Sequence, residues 1–122
     1  MSARIEALQP VLGARDVGAS VRFYARLGFA CVFGGPPENE RYAGVARDGL
    51  ELHLQWSDFS GIGPGADRPV LRFVVDDVDR LFREFEAAGV GGIRPPFDST
   101  WGTHEFHVRD PDGNGLQFYR PR

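Results

Sequence analysis

The chain runs through one pattern twice. Pro10-Val11-Leu12 leads into Asp16-Val17, a helical stretch and Gly28; in the second half Pro69-Val70-Leu71 leads into Asp77-Val78, a helical stretch and Gly89. The Asp-to-Gly interval is the same in both copies. Each copy continues into strand-like runs closing on an Asp-Gly turn, Asp48-Gly49 before Leu50-Glu51-Leu52 and Asp112-Gly113 before Leu116-Gln117-Phe118. Self-similarity over such a period marks a duplicated supersecondary unit. The unit reads as βαβββ, so the expected class is α+β: one domain over residues 1–122, with modules at about 1–56 and 69–122 joined by the loop 57–68.

In the first copy Val17, Val21, Tyr24 and Leu27 fall at helical spacing, Asp16 can cap the N-terminus, and Gly28 can take the left-handed conformation that ends a helix. This predicts a helix over about 17–27. Val78, Leu81, Phe82, Phe85 and Ala88 repeat the logic between Asp77 and Gly89. Strands are expected at about 6–13, 29–34, 41–47 and 50–56, then at 69–75, 93–97, 103–109 and 115–120.

Alternation within those strands sorts side chains onto two faces, because successive residues of a strand point opposite ways. Leu50, Leu52 and Leu54 would lie under a helix, with Glu51, His53 and Gln55 opposite. Leu71, Phe73 and Val75 oppose Val70, Arg72 and Val74, and Leu116 and Phe118 oppose Gln117 and Tyr119. If both sheets curl so that their second faces look at each other, Glu51, His53, Gln55, Gln117 and Tyr119 line a cleft. In 103–109, His104 shares the apolar row with Phe106 and Val108 and is expected as a structural residue, at a sheet edge or near the helix side, whereas Glu105, His107 and Arg109 share the polar row. The loop 57–68 is the natural hinge or lid, with Phe59 and Ile62 expected in local contacts.

Composition removes several function classes. All 14 basic residues are arginines, which leaves no lysine for a Schiff base or a P-loop. A net charge of −3 with both signs interspersed lacks the concentrated positive face that nucleic acid needs. No apolar run approaches the ~18 residues of a membrane span or the core of an export signal. The lone Cys31 allows neither an internal disulfide nor a cysteine zinc cluster, and is expected as a buried thiol suited to a reducing compartment. The expected location is cytoplasmic, with no membrane or nucleic-acid partner.

The start Pro10-Val11-Leu12-Gly13-Ala14-Arg15-Asp16-Val17, the helix end Phe23-Tyr24-Ala25-Arg26-Leu27-Gly28-Phe29 and the closing Trp101-Gly102, Glu105-Phe106 and Arg109-Asp110-Pro111-Asp112-Gly113-Asn114 resemble the vicinal oxygen chelate superfamily. Within it the chain is most similar to the glyoxalase/bleomycin resistance group, and particularly to its bleomycin-binding resistance proteins. The resemblance implies paired βαβββ modules forming incomplete barrels, and a homodimer whose clefts are completed between subunits. Open half-barrels in a chain this short also leave sheet edges and apolar surface for a partner to cover.

Metal-dependent members of the group hold their ion at positions that correspond to Gln9, Glu51, Val70 and Gln117. Only Glu51 is a good ligand there; valine cannot coordinate and neutral amides are poor replacements. A rearranged site from Glu51, His53 and His107 is the other arrangement the residues allow. No nucleophile motif accompanies Ser57, Ser60 or Ser99, and Glu51 with Glu105 reads as readily as a cation-binding pair as an acid/base pair. No cofactor is expected.

In bleomycin-binding relatives, aromatic residues at the positions of Phe33, Tyr42 and Trp101 line the groove in which the flat part of the drug stacks. The expected ligand-binding set is therefore Phe33, Tyr42, Glu51, His53, Trp101, Glu105, His107, Gln117 and Tyr119, with no catalytic and no metal-binding residue. The function this implies is metal-independent small-molecule binding that sequesters a bleomycin-type antibiotic or a similar flat amphipathic compound. A metal-dependent glyoxalase- or dioxygenase-like enzyme, and a binding module for an unrelated small molecule, are the alternatives, because fold alone does not set function.

Overall fold

The computed structural model describes residues 2–62 and 68–122. Two βαβββ modules follow one another: β1 (Val11–Ala14), α1 (Val17–Arg26), β2 (Ala30–Gly35), β3 (Asn39–Arg47) and β4 (Leu50–Trp56), then β5 (Val70–Val74), α2 (Val78–Ala87), β6 (Phe97–Asp98), β7 (Thr103–Arg109) and β8 (Gly115–Pro121). Each module is a four-stranded sheet, ordered β1-β4-β3-β2 and β5-β8-β7-β6, with the first strand parallel to the last and at an edge. The fold is the expected pair of α+β modules.

The helices start and stop where their caps dictate. Asp16 accepts from the Ala19 N–H at 3.0 Å and Asp77 from the Arg80 N–H at 3.0 Å, each relieving an orphan donor of the first turn. Gly28 at φ 84 and Gly89 at φ 81 turn the chain out of each helix, a conformation that costs glycine no steric penalty. Asp48 at φ 51 and Gly49 at φ 79 make the two-residue turn between β3 and β4, where the right-handed twist of the strands favours positive φ at both positions.

Alternation places the core. Leu52, Leu54, Phe106, Val108, Leu116 and Phe118 are buried and join Val17, Phe23, Tyr24, Leu27, Val78, Phe82 and Phe85 in one apolar cluster shared by both modules. The modules meet through these helix-side faces. Phe29 packs edge-on against Phe73, and Arg47 of β3 bonds both Glu84 of α2, at 2.6 Å, and the Leu27 carbonyl, at 2.7 Å. A polar knot, buried around Tyr24, Asp110 and Asn114, completes the seam. Tyr24 donates to Asp110 at 2.8 Å, Asn114 donates to Asp110 at 2.8 Å and to the Gly13 carbonyl at 3.1 Å, and Asp112 accepts from the Arg15 N–H at 3.1 Å. Burial, followed by the neighbouring carboxylates, drives the Tyr24 phenol far above its ordinary pKa.

Five expectations of the fold need correction. The strand expected at 6–13 is only Val11–Ala14, with Pro10, which has no N–H to donate, immediately before it; Ile5 and Leu8 are 92% and 84% exposed. The strand expected at 93–97 shrinks to Phe97–Asp98, since Pro95 and Pro96 stop it. Cys31 is exposed rather than buried, because β2 is a sheet edge and its register slips between Cys31 and Phe33. Leu50, at the turn, is 54% exposed. In the loop after β4, Phe59 is buried with the Arg15 and Arg68 guanidinium groups over its ring at 5.2 and 4.4 Å, whereas Ile62 is exposed. Of the hinge or lid expected at 57–68, residues 63–67 lie outside the described residues.

Candidate functional site

Each sheet turns a polar face away from the shared core, and each face is organised around a Glu-x-His pair. On the first sheet, period two puts Glu51, His53 and Gln55 of β4 on one face, level with Ala46, Gly44 and Tyr42 of β3, and Phe33 of β2 lies opposite Gly44. His53 is bonded at both ring nitrogens, Nε2 to Glu51 at 2.6 Å and Nδ1 to the Tyr42 hydroxyl at 2.7 Å. A carboxylate only accepts, so the neutral ring donates Nε2–H to Glu51 and accepts the Tyr42 proton at Nδ1. The lone pairs of the Tyr42 oxygen are left for a ligand. Phe33 stacks on Tyr42 at 6.0 Å and meets His53 edge-on at 5.2 Å, its ring spread over the bare backbone of Gly44, where an added Cβ would sit 2.2 Å from it. Phe33 remains 43% exposed.

On the second sheet Glu105 is the hub and is fully buried, which corrects its expected place as an open cleft carboxylate. It accepts from His107 Nε2, from Thr103 Oγ1 and, at 3.2 Å, from the Trp101 indole N–H, with Arg72 at 3.5 Å. Burial pulls its pKa up, but the bonds from His107 and Thr103 and the charge of Arg72 outweigh that and hold it below the ordinary value. Arg72 donates to Gln117 at 2.5 Å and lies over the Tyr119 ring at 3.9 Å. Trp101, tied by its N–H, still exposes 63% of its surface, an unusual place to leave an indole. His104 sits on the helix side as expected, between Asp79 of α2 and Asp98, both at 2.8 Å, and these bonds raise its pKa.

The structure thus groups Phe33, Tyr42, Glu51 and His53 on one face and Trp101, Glu105, His107, Gln117 and Tyr119 on the other. It does not join the two groups within one chain: among the described residues no hydrogen bond, ion pair or ring contact links them. Within one chain the helix-side faces take up the contact between modules, so the two polar faces do not form a common cleft there. Arg72 is not in the expected ligand-binding set; its pairing with Gln117 across β5 and β8 is a matter of register that one strand alone does not reveal.

A model of the glyoxalase/bleomycin resistance protein/dioxygenase superfamily matches residues 6–118. The chain belongs to that superfamily. An uncharacterized protein of Mycolicibacterium smegmatis is 33% identical to it over 113 residues, covering 91% of this chain and 90% of that protein. Among solved structures, the bleomycin-binding protein of bleomycin-producing Streptomyces verticillus, complexed with copper(II)-bleomycin, is 31% identical with a TM-score of 0.77 over 99% of this chain and 100% of its own. A bleomycin-binding protein complexed with bleomycin is 26% identical with a TM-score of 0.78, covering 97% and 100%.

The metal used by some superfamily members does not fit the residues present here. Val70 offers no donor atom, the Gln117 amide oxygen is taken by Arg72, Gln9 lies outside any strand, and Glu51 is engaged by His53. The rearranged trio does not assemble within one chain either, since His107 stands on the other sheet from Glu51 and His53. Among the described residues no three His, Cys, Asp or Glu side chains converge as a metal site.

Proposed function

We propose that this protein binds a flat, amphipathic small molecule of the bleomycin type and sequesters it without turnover and without a metal of its own. The observation that carries this reading is the pair of half-open aromatic positions, Phe33 with Tyr42 on one polar face and Trp101 on the other, in a chain similar over nearly its whole length to proteins crystallised with bleomycin. Ring stacking contributes about 0.5–1.5 kcal/mol per aromatic pair beyond buried area, and a cation over such a ring about 0.5–2 kcal/mol. Glu51 adds an acidic rim for a cationic group.

The working unit is a homodimer in which the two polar faces belong to different copies. Two features support it: the faces are separate within one chain, and the arm before β1 carries Ile5 and Leu8 uncovered by any described residue. Sedimentation should give a dimer for the full chain and a monomer once residues 1–9 are removed. The exposed Cys31 thiol suits a reducing compartment, and we assign the cytoplasm.

Calorimetric titration with metal-free bleomycin is expected to saturate near one ligand per chain. Trp101→Ala should weaken binding by about 1–2 kcal/mol, the scale of a lost aromatic anchor, without altering the dimer. No heat from the wild type at high micromolar drug overturns the proposal; equal binding by the variant removes Trp101 from the site.

A further inference from the structure

Beside β7 lies a cavity that shares His107 with the polar face of the second sheet but is not lined by Phe33, Tyr42 or Trp101. Pro95 and Pro96 cut β6 short, and the notch left along the edge of β7 is ≈ 500 Å³, lined by Gly92, Arg94, Pro95, Phe97, Phe106 and His107. Its chemistry is set from behind. Glu105 is buried and accepts from His107 Nε2, and an ionised carboxylate cannot donate. The neutral ring is therefore held as the Nε2–H tautomer, and Nδ1, which has no bond to any described residue, is an acceptor. Phe97 meets the imidazole edge-on at 5.4 Å and is itself 42% exposed. Arg94, on the same wall, makes no hydrogen bond or ion pair with any described residue.

The cavity thus offers one acceptor, one cationic donor and an aromatic wall. A carboxylate satisfies Arg94 but meets the neutral ring's Nδ1 with lone pairs unless the imidazole takes up a proton; an ammonium satisfies Nδ1 but repels Arg94. A primary carboxamide meets both, giving N–H to Nδ1 and its carbonyl to Arg94. We infer that this notch is a subsite for a neutral carboxamide group borne on a flat ring, with Glu105 as the positioning residue that holds His107 as the acceptor. Thr103 and Ser99 brace the hub: Thr103 Oγ1 donates to Glu105, and Ser99 accepts from the Thr103 N–H at 3.0 Å.

The test is separate from bleomycin binding, so either can fail without the other. Long-range nitrogen–proton NMR of the free protein at neutral pH should show His107 Nδ1 unprotonated and Nε2 protonated. Titration with benzamide should shift His107, Phe97 and Arg94 together and move the Nδ1 resonance, with benzoate and benzylamine binding at least about tenfold more weakly, the ratio expected for one hydrogen bond left unmade. His107→Lys keeps a donor for Glu105 but has no acceptor to turn outward, and should weaken benzamide by about tenfold with its near-ultraviolet circular dichroism unchanged. Glu105→Gln, whose amide can donate or accept, should let the Nδ1–H tautomer appear. An Nδ1–H ring in the wild type, benzamide shifts that bypass His107, or equal benzamide binding by His107→Lys overturns the inference.

Discussion

Asp110→Ala should cost about 3–5 kcal/mol of folding stability, a large part of the about 5–15 kcal/mol that holds a domain together. The side chain is 5% exposed and takes four donors: the Tyr24 hydroxyl, the Asn114 amide, and the backbone N–H groups of Asp112 and Asn114. Each buried donor left without an acceptor costs about 1–3 kcal/mol, softened where Asn114 keeps its bond to Gly13. Tyr24→Phe removes only one of the four bonds and should cost far less. Urea unfolding of both variants checks this, and similar midpoints for the two would show that Asp110 does not tie the modules together.

Phe106→Ala should cost a similar amount, about 3–5 kcal/mol, for a different reason. The ring is fully buried with Phe82, Phe85 and Phe118 at centroid distances of 5.5, 5.7 and 5.3 Å, so truncation opens a cavity that three neighbouring rings cannot collapse to fill. Its neighbours in sequence, Glu105 and His107, point to the opposite face of β7. The folded fraction should therefore bind bleomycin nearly as the wild type does, while the unfolding midpoint falls. A proportionate loss of affinity in the folded protein would mean that the two faces of β7 are coupled.

These two substitutions differ in how far sequence alone announces them. Phe106 is legible from alternation, because period two in Thr103–Arg109 assigns the apolar row without knowledge of any partner strand. Asp110 reads as an ordinary turn residue of Asp110-Pro111-Asp112-Gly113, and its weight comes from Tyr24, distant in the chain but bonded to it. Glu105 sits in the same polar row as His107, so the pattern gives both the same exposure. The structure buries the first completely and leaves the His107 side chain 43% exposed, because Trp101 and Thr103 close over the carboxylate from the preceding hairpin.

The duplicated pattern, its caps and turns, and the alternating rows were determined by the sequence, since each rests on interactions spanning a few residues: Asp16 to Ala19, Asp48 to Gly49, Leu52 to Leu54. The tertiary structure decided how the two modules meet. Both faces of each sheet were candidates for that contact, and the apolar helix-side faces took it because burying Phe29, Phe73, Phe85 and Phe118 removes far more apolar surface from water than joining two polar faces would. From that choice follow the outward polar faces, the uncovered arm with Ile5 and Leu8, and the exposure of Cys31 on an edge strand. Each depends on which elements become neighbours, and residues far apart in the chain settle that only when they pack.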